Sequence, residues 1–204
     1  FFPKNNDILM YIQDLNQFIV VVIAHLLAVI SPGPDFVLIA RQSFLYGRKI
    51  SIYTSLGIAS GILIHVLYCI VGLNFLLNNN TLVYVRILCS IYLLYLGINS
   101  FLSKTSTLKN NNMGKETQVS STPILSSIIA YRDGFLTNVL NVKATFFFLS
   151  LYAYIDTASI MIRTLYGLWM AIVTGLWFVF LSTILTNRKI QENTYNYQFY
   201  INKL

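Results

Sequence analysis

Charged side chains are scarce in this chain of 204 residues: Asp, Glu, Lys and Arg make up 10% of it, whereas soluble domains contain about 25%. Hydrophobic residues make up 56%, so there is too little polar surface to cover a soluble globule of this length. This scarcity excludes an ordinary soluble domain. The apolar residues occur in long runs, and such runs indicate helices buried in a lipid bilayer.

Cysteine is also rare. Cys69 and Cys89 both lie in apolar segments, where a thiol behaves as a small hydrophobic group and a disulfide is not expected. Neither has neighbours at the spacing of a metal site, and no phosphate-binding or serine-nucleophile motif is present. We therefore expect no metal, no cofactor and no enzymatic activity.

The charge that is present is mostly positive, with a formal net charge of +7. Basic residues lie mainly between the apolar segments, which is typical of membrane topology signals and not of a nucleic-acid-binding face. They concentrate at Arg48 and Lys49, in a polar stretch at 103–123 and in the tail at 187–204. We expect these regions in the cytoplasm and the N-terminus outside, with the bilayer and not nucleic acid as a partner.

Five apolar segments can be marked, and a segment in lipid has to be helical because its backbone amides need internal partners. The pattern predicts an all-α integral membrane protein with about five transmembrane helices in one domain over residues 10–186. Met10 reads as a natural start, so residues 1–9 are given no structural weight. The segments lie at about 15–45, 50–77, 82–102, 134–155 and 164–186.

The first segment contains a helix-breaking motif, Ser31-Pro32-Gly33-Pro34. A straight helix over residues 15–45 would be about 45 Å long, which exceeds a hydrocarbon core of about 30 Å. Proline removes an amide donor and glycine permits a change of direction, so we predict a helix interrupted at membrane depth. Such interruptions form substrate sites in transporters. A simple proline kink without a ligand is the alternative.

Asp35 directly follows this break. A carboxylate near the membrane interior has to be paired, hydrated or protonated, so Asp35 is a candidate to bind a substrate ammonium, to pair with Lys143 or to carry a proton. Aspartate is also a good capping residue at a helix N-terminus, and the two roles are compatible. The backbone amides from Asp35 to Leu38 are expected to face the break and to receive a carboxylate.

Polar residues also interrupt the fourth segment, at Asn138, Asn141 and Lys143. Lys143 either extends its ammonium to the cytoplasmic interface or faces a cavity and Asp35. We leave both interpretations open.

Two histidines and two glycines carry weaker signals. His25 and His65 lie inside apolar segments, where each is either a hydrogen-bonded packing residue or a proton carrier. Gly57 and Gly61 form a Gly-xxx-Gly pair, which predicts close packing of two helices.

Two groups of residues resemble the LysE/RhtB exporter family in order and spacing. The first resembles the family's opening motif and consists of Ser31-Pro32-Gly33-Pro34-Asp35, Gly47-Arg48 and Gly57-xxx-Gly61. The second, from Asp133 to Ala144, resembles a Gly-Phe segment that leads to Asn-Pro-Lys. Together they are fairly specific, and the resemblance covers roughly residues 10–186.

The resemblance implies a six-helix protein of two inverted halves in the bacterial inner membrane. It implies efflux of a small amino acid such as threonine, homoserine or lysine, driven by the proton gradient. The residues themselves make Asp35 and His65 the candidates for proton coupling, and a homo-oligomer is left open. It further implies a substrate site between the halves, made of Pro32, Gly33, Pro34 and Asp35 with Asn141 and Lys143.

The chain departs from the family pattern twice. Val142 stands where the family usually has proline, so a softer break is expected in the fourth segment. No apolar run at 187–204 is long enough for a sixth helix, which would place the C-terminus in the cytoplasm. This second departure supports an alternative function, a truncated inactive family member or a non-transporting membrane interaction subunit.

Overall fold

A computed structural model describes residues 5–75 and 125–187, together with isolated positions between 83 and 98. The described residues are helical apart from short turns at helix breaks and ends, which confirms the predicted all-α class. The isolated positions between 83 and 98 are helical as well. The helices with defined bounds are α1 (Asn5–Ile30), α2 (Pro34–Phe75), α3 (Ser127–Val139), α4 (Val142–Tyr154) and α5 (Ile160–Leu185).

The described helices expose apolar side chains, as expected for a protein embedded in a lipid bilayer. Both α2 and α5 are long and apolar enough to cross a membrane, and α3 with α4 has the length and composition of one broken span or of a re-entrant loop. Large apolar side chains point outward, such as Leu27 at 67% exposure and Leu176 at 64%, whereas His65 is fully buried. A hydrocarbon solvent favours this arrangement because polar groups must find partners inside the protein.

The boundary between the first two apolar segments is a kink and not a loop. The sequence predicts a gap around Arg48 and Lys49, but helical residues continue on both sides of Gly47. Gly47 has φ 77° and ψ −177°, a conformation that is essentially restricted to glycine because it places a Cβ too close to the backbone. One residue therefore redirects the chain.

Two helices begin earlier than their apolar segments suggest, because serine caps start them. The Ser126 hydroxyl accepts a hydrogen bond from the Ile128 amide at 3.3 Å, and the Ser159 hydroxyl accepts one from the Ile162 amide at 3.3 Å. Such caps provide partners for amides that have none within the first turn.

The long helix α2 packs against α3, α4 and α5, and glycines allow its closest approach to α3. A Cβ added at Gly57 would collide with the carbonyl oxygen of Tyr131, and one added at Gly134 would collide with the carbonyl oxygen of Thr54. Backbone therefore meets backbone at this crossing, as in other small-residue helix contacts.

Several sequence predictions fall outside the described residues. These are the linker at 103–123, most of the third segment at 82–102, Cys89, and the tail beyond residue 187, for which the sequence predicts no sixth helix. Within the described part of the chain, Cys69 is buried, as its apolar segment predicts. The side of the membrane on which each loop lies stays a prediction.

Candidate functional site

Two helix breaks from distant parts of the chain lie against one another. The first break, at residues 31–33, separates α1 from α2, and the second, at residues 140–141, separates α3 from α4 with a bend of 56°. Both line one cavity with a volume of about 60 Å³. The interruption predicted from Pro32, Gly33 and Pro34 is therefore present, and it faces a second one.

The second break is sharp although Val142 stands in place of a proline, so the expected softening is not observed. Asn141 supplies the reason: its side-chain oxygen accepts a hydrogen bond from the Lys143 amide at 3.0 Å. Its carbonyl accepts one from the Thr145 amide at 2.9 Å, which opens the ladder of α4. An asparagine cap thus starts the new helix without the restricted φ of proline.

The first break leaves fewer free amides than the sequence predicts. The Val37 amide donates to the Gly33 carbonyl at 3.0 Å, so the hydrogen-bond ladder of α2 begins there. The amides of Asp35 and Phe36 precede the ladder and remain at the positive end of the helix. The prediction that amides from Asp35 to Leu38 face the break is therefore too broad.

Asp35 is held by side-chain amides from the other break. Its Oδ2 accepts hydrogen bonds from Asn138 Nδ2 at 2.9 Å and from Asn141 Nδ2 at 3.0 Å. Its Oδ1 is buried and has no hydrogen-bond partner within the described part of the chain. Asp35 lies in the first turn of α2 and is not its cap residue. One carboxylate oxygen is thus held by two hydrogen bonds, and the other has none within the described residues.

Lys143 faces the cavity instead of extending to the membrane interface. Its Nζ donates to the carbonyl of Ser31 at 2.6 Å, at the negative end of α1. Its stem lies across Gly33, where an added Cβ would be 3.4 Å from the lysine Cδ. The ammonium is close enough to Asp35 to interact electrostatically, although the direct hydrogen bonds to Asp35 come from the asparagines.

The rest of the cavity is largely apolar and aromatic, with one polar pair. His25 Nε2 lies 3.0 Å from Thr174 Oγ1, which joins α1 to α5. The apolar lining consists mainly of Val29, Phe36, Ile62, Phe147, Phe148 and Phe178. The cavity therefore combines a charged region at the breaks with an apolar region between the helices.

The predicted site residues divide into those that line the cavity and those that shape it. Gly33, Asp35, Asn141 and Lys143 line it. Pro32 and Pro34 belong to the break without lining the cavity. Gly57 and Gly61 lie at the crossing of α2 and α3, and a Cβ at Gly61 would be 2.8 Å from Asn138 Oδ1. Gly61 therefore leaves room for a side chain that holds Asp35.

His65, the second candidate for proton coupling, lies behind the cavity. Its Nε2 is 2.9 Å from the Asn138 carbonyl oxygen and its Nδ1 is 2.6 Å from the Tyr68 hydroxyl. A carbonyl oxygen only accepts, so Nε2 carries a hydrogen. The ring also stacks on Phe148, with centroids 5.5 Å apart. These contacts support α3, and a role of His65 in proton transfer stays a prediction.

Sequence reasoning did not assign four polar residues of the cavity to the site: Ser31, Asn138, His25 and Thr174. Asn138 precedes Asn141 by three residues, the spacing of one helical turn, and that spacing was a usable signal. Ser31 acts through its backbone carbonyl, which no side-chain pattern reveals.

Comparison with known proteins identifies the family. The family described as LysE type translocator matches residues 26–204. The chain belongs to the LysE type translocator family. It is therefore a multi-pass membrane protein of a family of translocators. This assignment agrees with the expectation that the chain is not an enzyme.

Relatives of this translocator occur in several bacteria. The chain is 26% identical to the uncharacterized membrane protein YrhP of Bacillus subtilis over 170 residues, 79% of each chain. It is 23% identical to the threonine efflux protein of Escherichia coli K12, over 83% of this chain and 82% of that protein. The threonine efflux protein of Salmonella typhi is also 23% identical, over 87% and 86%. No solved structure gave a significant match.

Proposed function

We propose that this LysE type translocator exports small α-amino acids from the bacterial cytoplasm across the inner membrane. The observation that carries the proposal is the placement of Asp35 and Lys143 in one small cavity. A zwitterion needs a negative partner for its ammonium and a positive partner for its carboxylate, and this cavity offers both. The threonine efflux proteins among its relatives support the same class of substrate.

In this proposal the substrate ammonium binds Asp35 Oδ1, the buried oxygen without a described partner. The substrate carboxylate draws the Lys143 ammonium from the Ser31 carbonyl and also approaches the amides of Asp35 and Phe36. Charged hydrogen bonds in such a water-poor site contribute about 1.5–3 kcal/mol each. Both ends of the amino acid are thereby recognised without reference to its side chain.

The cavity size favours short side chains. A bound water needs roughly 10–15 Å³ of cavity volume. The cavity of about 60 Å³ therefore holds roughly four to six groups of the size of a water molecule. Threonine or homoserine matches this space better than lysine. Of the substrates that the family resemblance implies, we therefore propose the short ones.

We further propose that Asp35 couples export to the proton gradient. When the substrate ammonium leaves, the Asp35 carboxylate loses its direct ionic partner at membrane depth, and protonation lowers the cost of that buried charge. One proton would then enter for each amino acid that leaves. His65 is the second candidate, because its ring bonds the carbonyl of Asn138, whose amide holds Asp35.

The test is efflux of labelled threonine, homoserine and lysine from preloaded cells that express the chain or its Asp35→Asn variant. The variant keeps the size of the side chain but removes its charge, so we expect efflux to fall to the rate of cells without the protein. Asp133→Asn is the matched control, because Asp133 pairs with Arg132 at 3.0 Å on the surface. We expect the control to export normally.

Two results would contradict the proposal. If Asp35→Asn exports at the normal rate, Asp35 has no part in binding or coupling. If the chain is present in the membrane but releases none of the three amino acids, the alternative of a non-transporting family member is favoured. Collapse of the proton gradient by an ionophore separates coupling from binding, since it should stop net export and leave exchange of labelled for unlabelled substrate intact.

A further inference from the structure

A second polar group faces the same cavity away from the two breaks. His25 is 2% exposed and lines the cavity, and its Nε2 is 3.0 Å from Thr174 Oγ1. The other ring nitrogen, Nδ1, is buried and has no hydrogen-bond partner within the described residues. None of the proposed contacts to the charged groups of the substrate uses it.

The imidazole ring is held in place on several sides. Trp169 packs edge-on against it with ring centroids 5.3 Å apart, and Phe147 lies 6.1 Å away. The hydrogen bond between Nε2 and Thr174 fixes the rotation of the ring. A buried polar atom without a partner is unfavourable because it has lost its hydrogen bonds to water, and the packing prevents this ring from turning towards another partner. A ligand that reaches Nδ1 would remove that cost.

The position of His25 along α1 determines which part of a ligand it meets. It precedes Ser31 by six residues, which is about 9 Å along a helix axis. Ser31 binds Lys143, and Lys143 belongs to the charged end of the cavity. His25 is therefore placed to meet the side chain of a bound amino acid and not its ammonium or carboxylate.

We propose that His25, oriented by Thr174, forms a side-chain subsite that selects amino acids bearing a hydroxyl group. This inference rests on the proposed export of small amino acids. A hydroxyl both donates and accepts, so it pairs with Nδ1 whichever ring nitrogen carries the hydrogen. An aliphatic side chain of the same shape leaves Nδ1 unpaired. Sites built to bind a hydroxyl reject analogues that lack it more strongly than apolar pockets reject an added group.

The test compares threonine with valine, which has a methyl group in place of the hydroxyl. Everted membrane vesicles containing the full chain take up each labelled amino acid separately. We expect the wild type to favour threonine by roughly tenfold or more, in line with the cost of one unpaired buried group. His25→Phe should bring the ratio of threonine to valine uptake close to one. His25→Gln keeps a hydrogen-bonding group and should retain part of the preference.

The ratio distinguishes a subsite from a structural role, because misfolding lowers the uptake of both amino acids together. Equal loss of both in His25→Phe, with the wild-type ratio unchanged, overturns the subsite, because the preference for threonine would then not depend on His25. Equal uptake of threonine and valine by the wild type overturns the subsite and leaves amino-acid export standing. Uptake of neither amino acid, nor of any other small one, overturns the proposed export itself.

Discussion

The Asn141 side chain both caps α4 and binds Asp35, and substitutions can separate these two interactions. Its oxygen caps α4 through the Lys143 amide at 3.0 Å, and its nitrogen donates to Asp35 at 3.0 Å. Asn141→Ala removes both interactions. Asn141→Ser keeps a capping oxygen but has no amide to offer Asp35. Both variants therefore lose the hydrogen bond to Asp35, but only Asn141→Ala loses the helix cap.

The expected magnitudes follow from these contacts. Replacing an asparagine cap by alanine costs about 1 kcal/mol, and serine caps nearly as well as asparagine. For a chain of this length, 1 kcal/mol shifts the unfolding temperature by about 2–4 °C. We expect Asn141→Ala to unfold about 2–4 °C below Asn141→Ser. Loss of a hydrogen bond to a charged group costs about 1.5–3 kcal/mol, so both variants should export roughly tenfold more slowly or worse.

Two measurements check this prediction: thermal unfolding of the purified protein in detergent, and efflux of labelled threonine from cells. Asn141→Asp serves as a further comparison, because it retains a capping oxygen but places a second carboxylate against Asp35. We expect it to export least. Equal unfolding temperatures for the alanine and serine variants would show that the cap contributes nothing. Normal export by Asn141→Ser would show that Asp35 does not need the amide of Asn141.

Two further predictions concern glycines of α2, read out by the same unfolding measurement. Gly57→Ala should lower the free energy of unfolding by about 1–3 kcal/mol, because the new Cβ meets the Tyr131 carbonyl. Gly72→Ala is the control. A Cβ at Gly72 meets no atom within 4 Å, so this variant should not lower stability. A Gly57→Ala protein as stable as this control would mean that α2 and α3 do not pack so closely. Gly47→Ala should cost about 1–3 kcal/mol because of its φ of 77°, and an unchanged unfolding temperature would refute the kink.

The first break was predictable because its cause is local. Pro32, Gly33 and Pro34 each restrict or free the backbone at their own positions, so the sequence alone located the interruption. The second break was predicted to be softer because Val142 carries no such restriction. Asn141 produces it through a side-chain cap, and whether an asparagine caps a helix depends on where the chain turns. Where the chain turns depends on tertiary contacts and not on the local sequence.

The contents of the cavity were predictable only for its charged part. Asp35 and Lys143 are conspicuous in apolar segments, because a charge in lipid requires a reason. His25 is not conspicuous in the same way, since most buried histidines serve packing. Its significance depends on Thr174, which is 149 residues away in sequence. Pairings over such distances were beyond the reach of a single sequence without homologues.

The bonds that hold Asp35 also have a consequence for biogenesis. Its partners Asn138 and Asn141 follow it by 103 and 106 residues. Chains are synthesised at about 5–20 residues per second, so roughly 5–20 s pass between the emergence of Asp35 and that of the side chains that bind it. During this interval the first half of the protein carries an unpaired carboxylate beside an interrupted helix. Water, a proton or the insertion machinery has to accommodate it until the second half arrives.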